Sequence, residues 1–93
     1  MKLRVFKVRG SSMLPTLKQD DYVFCWRWLD TRFKVGDVVV ARHPTFNIII
    51  KRIAEIDEAK GVLLQGDNPN STPKAQLGWL AENLLVGRVV HQV

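Results

Sequence analysis

Two short stretches of this chain carry residue types that could do chemistry together: Ser11-Ser12-Met13-Leu14-Pro15-Thr16 and, some forty residues later, Ile50-Lys51-Arg52-Ile53. A serine hydroxyl is a poor nucleophile until a base takes its proton, and a lysine amine can serve if it is kept neutral. His43 and His91 fall in no triad pattern, so lysine is the better candidate base. Pro15 forces Leu14 towards extended geometry and removes a backbone donor, which keeps the chain around Ser12 out of helix and sheet. Gly10 permits a substrate to approach the backbone closely. With an alternation of two, Ile49, Lys51 and Ile53 share one face of a strand, and Ile50, Arg52 and Ala54 share the other. A lysine between two isoleucines is partly desolvated, and that lowers its pKa, as a general base near neutral pH requires. The plainer readings are a Ser/Pro/Thr loop and an edge-strand lysine that discourages aggregation. Arg52 is expected only to lay its guanidinium over the opposite face.

The elements that must position these residues are mostly strands. Residues 3–8 alternate charged with apolar side chains, and residues 22–29 are aromatic and β-favouring. Gly36-Asp37 turns the chain into Val38-Val39-Val40-Ala41-Arg42, a buried-strand pattern, and His43 to Asn47 forms a turn. Ile48 to Ala54 is a further strand, closed by a hairpin at Asp57 to Gly61 into Val62-Leu63-Leu64-Gln65. Residues 66–73 are rich in turn formers and read as a loop. Residues 74–85 leave room for a short helical turn before a last strand over residues 84–90. The expected fold is mainly β: one small domain over residues 1–93, a twisted and partly closed sheet.

Composition narrows the function classes. Ninety-three residues support one modest core. No stretch approaches the ~20 apolar residues that span a bilayer, so no transmembrane anchor is expected. The net charge is +5, and four cations fall in the first nine residues. A solvated strand face explains them, and attraction to an acidic partner, anionic lipid or nucleic acid would also use them. Cys25 is the only cysteine, which excludes an internal disulfide and a thiolate zinc site. It reads as a small core hydrophobe in a reducing, cytoplasmic setting.

The blocks together resemble type I signal peptidases and their LexA-type repressor relatives. Gly10-Ser11-Ser12-Met13-Leu14-Pro15-Thr16-Leu17 resembles the nucleophile box, Val35 to Ala41 the strand before the lysine, and Ile50-Lys51-Arg52-Ile53 the base box. Gly66-Asp67-Asn68-Pro69-Asn70-Ser71 resembles the loop beside the dyad, and Leu85-Val86-Gly87-Arg88-Val89 the closing strand. The resemblance implies a serine endopeptidase without metal or cofactor, favouring small residues before the scissile bond. Ser12 would be the nucleophile, Lys51 the base, and Ser71 a loop serine that orients the lysine. Met13, Ile49 and Ile50 would contact substrate.

Three departures stand out. Where many bacterial relatives carry an oxyanion hydroxyl this chain has Gly10, so the hole would rest on the Ser12 N–H, helped by the Ser11 hydroxyl. After Ser71, Pro73 and Ala75 replace an Asp and an Arg, so that loop must be braced differently. The membrane anchor and large accessory β-domain of bacterial signal peptidases are not expected here. A small version of this kind resembles the nickel-type superoxide dismutase maturation proteases, which implies as partner a precursor with an N-terminal leader. Peripheral membrane contact fits that setting, and nucleic acid is not expected as a partner. The other readings are a catalytically inactive peptide-binding domain and a basic nucleic-acid module built on Trp26, Trp28 and Trp79. An extended peptide is expected to dock on a strand edge near Gly10-Ser11 and the strand before Lys51, with the Tyr22 to Trp28 strip partly exposed.

Overall fold

The computed structural model describes residues 2–29 and 31–93. Among them, β1 (Lys2–Lys7), β2 (Tyr22–Arg27), β3 (Val38–His43), β4 (Asn47–Asp57), β5 (Gly61–Gln65), β6 (Trp79–Leu80) and β7 (Leu85–Gln92) form one antiparallel sheet. Its order is β1-β2-β7-β3-β4-β5-β6. The single helical turn α1 (Lys74–Leu77) and a 3-10 turn at Glu82–Leu84 connect its later strands. The mainly β expectation holds.

Alternation drives the curl. On β2, Val23 and Cys25 are fully buried while Tyr22, Phe24 and Trp26 point to the outer face, half-exposed or exposed. On β3 the two faces feed two cores. Val39 and Ala41 join Ile53, Leu64, Leu80 and Leu85, whereas Val40 joins Val8, Met13, Leu17, Val23 and Cys25. A strand buried on both faces is a continuous apolar run, as the Val-Val-Val-Ala sequence predicts. Register shifts on β2, β3 and β4 bend the sheet further, since a bulge adds local twist.

Two of the free strand edges among the described residues lie near Ser12 and Lys51. β1 pairs only with β2. The first half of β4, Asn47 to Lys51, pairs with β3 alone, because β5 takes up the other edge only from Arg52 onwards. These two free edges form the walls of the cleft described below.

The differences from expectation are local. β4 runs to Asp57 because its bulge between Ile53 and Glu55 lets it continue past the predicted end. β6 is a two-residue strand that the sequence pattern does not reveal. It sits so close to the hairpin at Gly61 that a β-carbon there would run into the Leu80 carbonyl, and Gly61 also has φ +98°. Only glycine serves at that position.

Candidate active site

The turn that carries Ser12 is fixed at both ends and anchored from below. Where β1 ends, the Val8 N–H donates to the Asp21 carbonyl (2.8 Å) and the Val8 carbonyl accepts from Asp20 (2.9 Å). Gly10 takes φ +78° and donates its N–H to the Gln19 side chain (3.0 Å). Within the turn, Leu14 N–H reaches the Ser11 carbonyl (3.1 Å) and Leu17 N–H the Met13 carbonyl (2.9 Å), around a cis Leu14–Pro15 bond. Met13 and Leu17 are 2% and 1% exposed. They sink into the core beside Val8 and leave Ser12 half-buried at the surface.

A second segment brackets the serine from the other side. The loop after β5 lays its backbone against Ser12: the Asn68 N–H donates to the Ser12 carbonyl (2.9 Å) and the Asn68 side-chain amide to the Ser11 carbonyl (3.0 Å). Gly66 lies between the two. A β-carbon there would stand 2.5 Å from the Ser12 carbonyl oxygen and 2.5 Å from the Ser71 hydroxyl. Among the described residues, the Ser12 N–H donates to no acceptor.

Arg52 departs from its expected role. It does not merely lie over the sheet. Its Nε and Nη2 donate to the two carboxylate oxygens of Asp67 (2.9 and 2.8 Å), and its Nη1 to the Gly36 carbonyl (2.7 Å). The Thr16 hydroxyl donates to Asp67 as well. The Arg52 hydrogen bonds hold the Asp67 carboxyl below its ordinary range, assisted by Thr16, and the same carboxylate raises the guanidinium pKa. The Ser12 turn, the lysine strand and the loop are thus joined through one carboxylate.

Lys51 is 6% exposed, beside Val39 in the β3–β4 ladder and flanked along its own strand face by Ile49 and Ile53. Burial pushes its pKa down. No carboxylate among the described residues pairs with it. The edge-strand reading therefore fails, since an aggregation-blocking lysine would be solvated.

Ser12 and Lys51 line the same cleft of about 440 Å³, which runs between β1 (Val5 to Lys7, continuing to Arg9) and the free half of β4. Met13, Ile49 and Ile50 line it too, although Met13 also serves the core. Gly10 and Ser11 are exposed beside the cleft and outside its lining, and Ser71 packs over Gly66 rather than on the wall. Asp67, Asn68 and Thr16 have structural roles that residue types alone did not announce. The Gly66-Asp67-Asn68 run marks a loop but carries no sign of the partner its carboxylate takes.

His43 and Cys25 have structural explanations. His43 is buried; its Nδ1 accepts from the Thr45 and Phe46 N–H groups (3.0 and 3.2 Å), which leaves Nε2–H to donate to the Leu77 carbonyl (2.7 Å). Cys25 is fully buried, and burial raises its thiol pKa, so it is inert packing. No cluster of metal-ligating side chains occurs among the described residues, and no helix there is long and apolar enough to cross a membrane.

No curated protein matches the chain. A protein family does match, and it covers both walls of the cleft and the loop that brackets them: over residues 2–90 the sequence fits the Peptidase S24-like family, and the chain belongs to it.

Proposed function

We propose that this domain is a serine endopeptidase in which Ser12 is the nucleophile and Lys51 the general base. The observation that carries the reading is the pairing in one cleft of a half-buried serine with a buried lysine that lacks a carboxylate partner and whose pKa is lowered. A neutral Lys51 takes the Ser12 proton as Oγ attacks the scissile carbonyl carbon. The resulting ammonium gives that proton to the leaving amine, and an ester on Ser12 remains. Water, deprotonated by the same amine, then hydrolyses the ester and frees Ser12. The unpartnered Ser12 N–H is the oxyanion donor, and Ser11, exposed at the rim of the cleft, gives it secondary help. Ser71 supports the bracket through its packing on Gly66.

The substrate lies extended between the free edges of β1 and β4, where main-chain hydrogen bonds supply affinity. Met13, Ile49 and Ile50 contact its side chains. The substrate class is a protein precursor with an N-terminal leader, processed in the cytoplasm or at a membrane surface; a nickel superoxide dismutase precursor is the specific candidate.

The test is cleavage of leader-bearing precursors by the wild type and by Ser12→Ala, Lys51→Ala and Ser11→Ala. Loss with the first two and a modest decrease with the third is expected. Activity rises with pH through the lowered pKa of Lys51, because only the neutral amine accepts a proton. A Ser12→Ala variant that still cleaves, or a rate already at its plateau at about pH 5, refutes the dyad. Peptide binding without turnover by the wild type would identify an inactive binding domain instead.

A further inference from the structure

A second groove, of about 560 Å³, opens where Arg4, Arg27 and Arg42 converge with Trp28, Leu84 and Val86. None of the described residues that line it is a carboxylate. Among the described residues no ion pair involves any of these arginines. Their guanidinium groups differ in how much they are already committed. Arg27 donates to the Glu82 and Leu85 carbonyls and lies over the Phe33 ring at 5.2 Å, so it is a structural strut. Arg4 lies over the Phe6 ring at 5.0 Å, which orients it without using its donors. Arg42 is exposed and forms no ion pair among the described residues.

This groove continues the cleft. Arg4 directly precedes Val5, the first β1 residue of the cleft wall, and Arg42 is the β3 partner of Ile48, which lines the cleft on the β4 side. An extended chain laid along the edge of β1 away from Ser12 therefore runs into the arginines. From Val8 to Arg4 is four residues, about 13 Å at the rise of a strand.

We propose that this groove is a distal specificity subsite that binds an aspartate or glutamate side chain of the substrate, with Arg4 and Arg42 as its ligands. The proposal rests on the peptidase reading above, because the substrate chain is what delivers the carboxylate. Guanidinium forks match a carboxylate in a bidentate fashion, and the Trp28 and Leu84 walls exclude part of the competing water. The acidic residue belongs roughly four to six positions from the scissile bond, on the arm that follows β1. A partly solvated pair of this kind corresponds to roughly a five- to thirtyfold preference over the amide side chains.

A proteome-derived peptide mixture, cleaved by the full chain and sequenced at the new ends, reads preference on both arms at once. Asp and Glu are expected to be enriched about tenfold at one position of one arm. In Arg4→Gln/Arg42→Gln the ratio of acidic to amide residues falls to about one, and in Arg42→Glu it shifts towards Lys and Arg. Circular dichroism and melting curves like those of the wild type are expected, since both side chains reach solvent. Cleavage that depends on Ser12 but shows no acidic preference, or a preference that survives in the double variant, overturns the subsite alone. Absence of any Ser12-dependent cleavage overturns the peptidase reading and the subsite with it. Salt-dependent binding of a single-stranded oligonucleotide that disappears in the double variant would assign the groove to phosphate and also overturn the proposal.

Discussion

Replacing Asp67 with alanine should damage both stability and catalysis, because one carboxylate ties together the three segments that meet at Ser12. It accepts from Arg52 Nε and Nη2 at 2.9 and 2.8 Å and from the Thr16 hydroxyl. Breaking a fully buried pair by removing one partner costs about 3–5 kcal/mol. Here the Asp67 side chain is 16% exposed but that of Arg52 is 37% exposed, and Arg52 keeps its bond to the Gly36 carbonyl. Discounting for that solvent access leaves about 2 kcal/mol. For a chain of 93 residues, this corresponds to a fall in Tm of roughly 8–16 °C.

The pH dependence follows from the direction of the Asp67 shift. Because its folded pKa lies below the unfolded value, the carboxylate's contribution is present above the ordinary pKa of Asp and disappears as pH falls through the folded one. The deficit of Asp67→Ala should therefore be full at neutral pH and shrink in acid. Catalysis should suffer separately, since Asn68, the next residue, holds the Ser12 carbonyl. A displacement of that bracket by about 1 Å is worth up to roughly a hundredfold in kcat. Urea denaturation across pH, a double-mutant cycle with Arg52→Met, and single-turnover cleavage measure the three effects. The expected coupling is about 1–2 kcal/mol. A Tm within about 2 °C of the wild type, together with zero coupling, would refute the clamp.

Further outcomes follow from the same contacts. Lys51→Met should abolish cleavage yet stabilise the fold by about 0.5–2 kcal/mol at neutral pH, because burying the amine without a partner costs either its hydration or its proton. That gain should shrink in alkali: between the lowered folded pKa and the ordinary lysine value the unfolded chain binds more protons, so wild-type stability rises with pH there. Denaturation at neutral and alkaline pH checks both statements. Gly66→Ala forces a methyl group to within 2.5 Å of the Ser12 carbonyl oxygen. It should cost about 1–3 kcal/mol, with a disproportionate loss of activity; a variant as active and stable as the wild type would show that the bracket yields freely. Trp28, 44% exposed, should dominate acrylamide quenching, so Trp28→Phe should remove most of the accessible fluorescence, whereas unchanged quenching would place the accessible tryptophan elsewhere.

How far this architecture could be read from the chain depends on the range of the interaction. Alternation is a local signal, and it places Val23 and Cys25 inside, Tyr22 and Trp28 outside, and Lys51 on the face of Ile49 and Ile53. The strand bounds held to within two residues except where a bulge carried β4 onward. Arg52 was misread for the same reason. A period of two says which face a side chain takes, but not that a loop fifteen residues later delivers a carboxylate to it. Ser12 and Lys51 were identifiable as candidates because each needs only its own neighbours to be conspicuous. Their shared cleft depends on the curl of the sheet, which brings the far edge of β1 to the first half of β4. The buried lysine and the clamp that neighbours it on β4 then answer opposite demands. Burial lowers the pKa of Lys51 at a cost to the fold, and one residue on, Arg52 restores rigidity by fastening the Ser12 turn through Asp67 and Thr16. A site with only the first would be reactive and loose; with only the second it would be rigid and without a base.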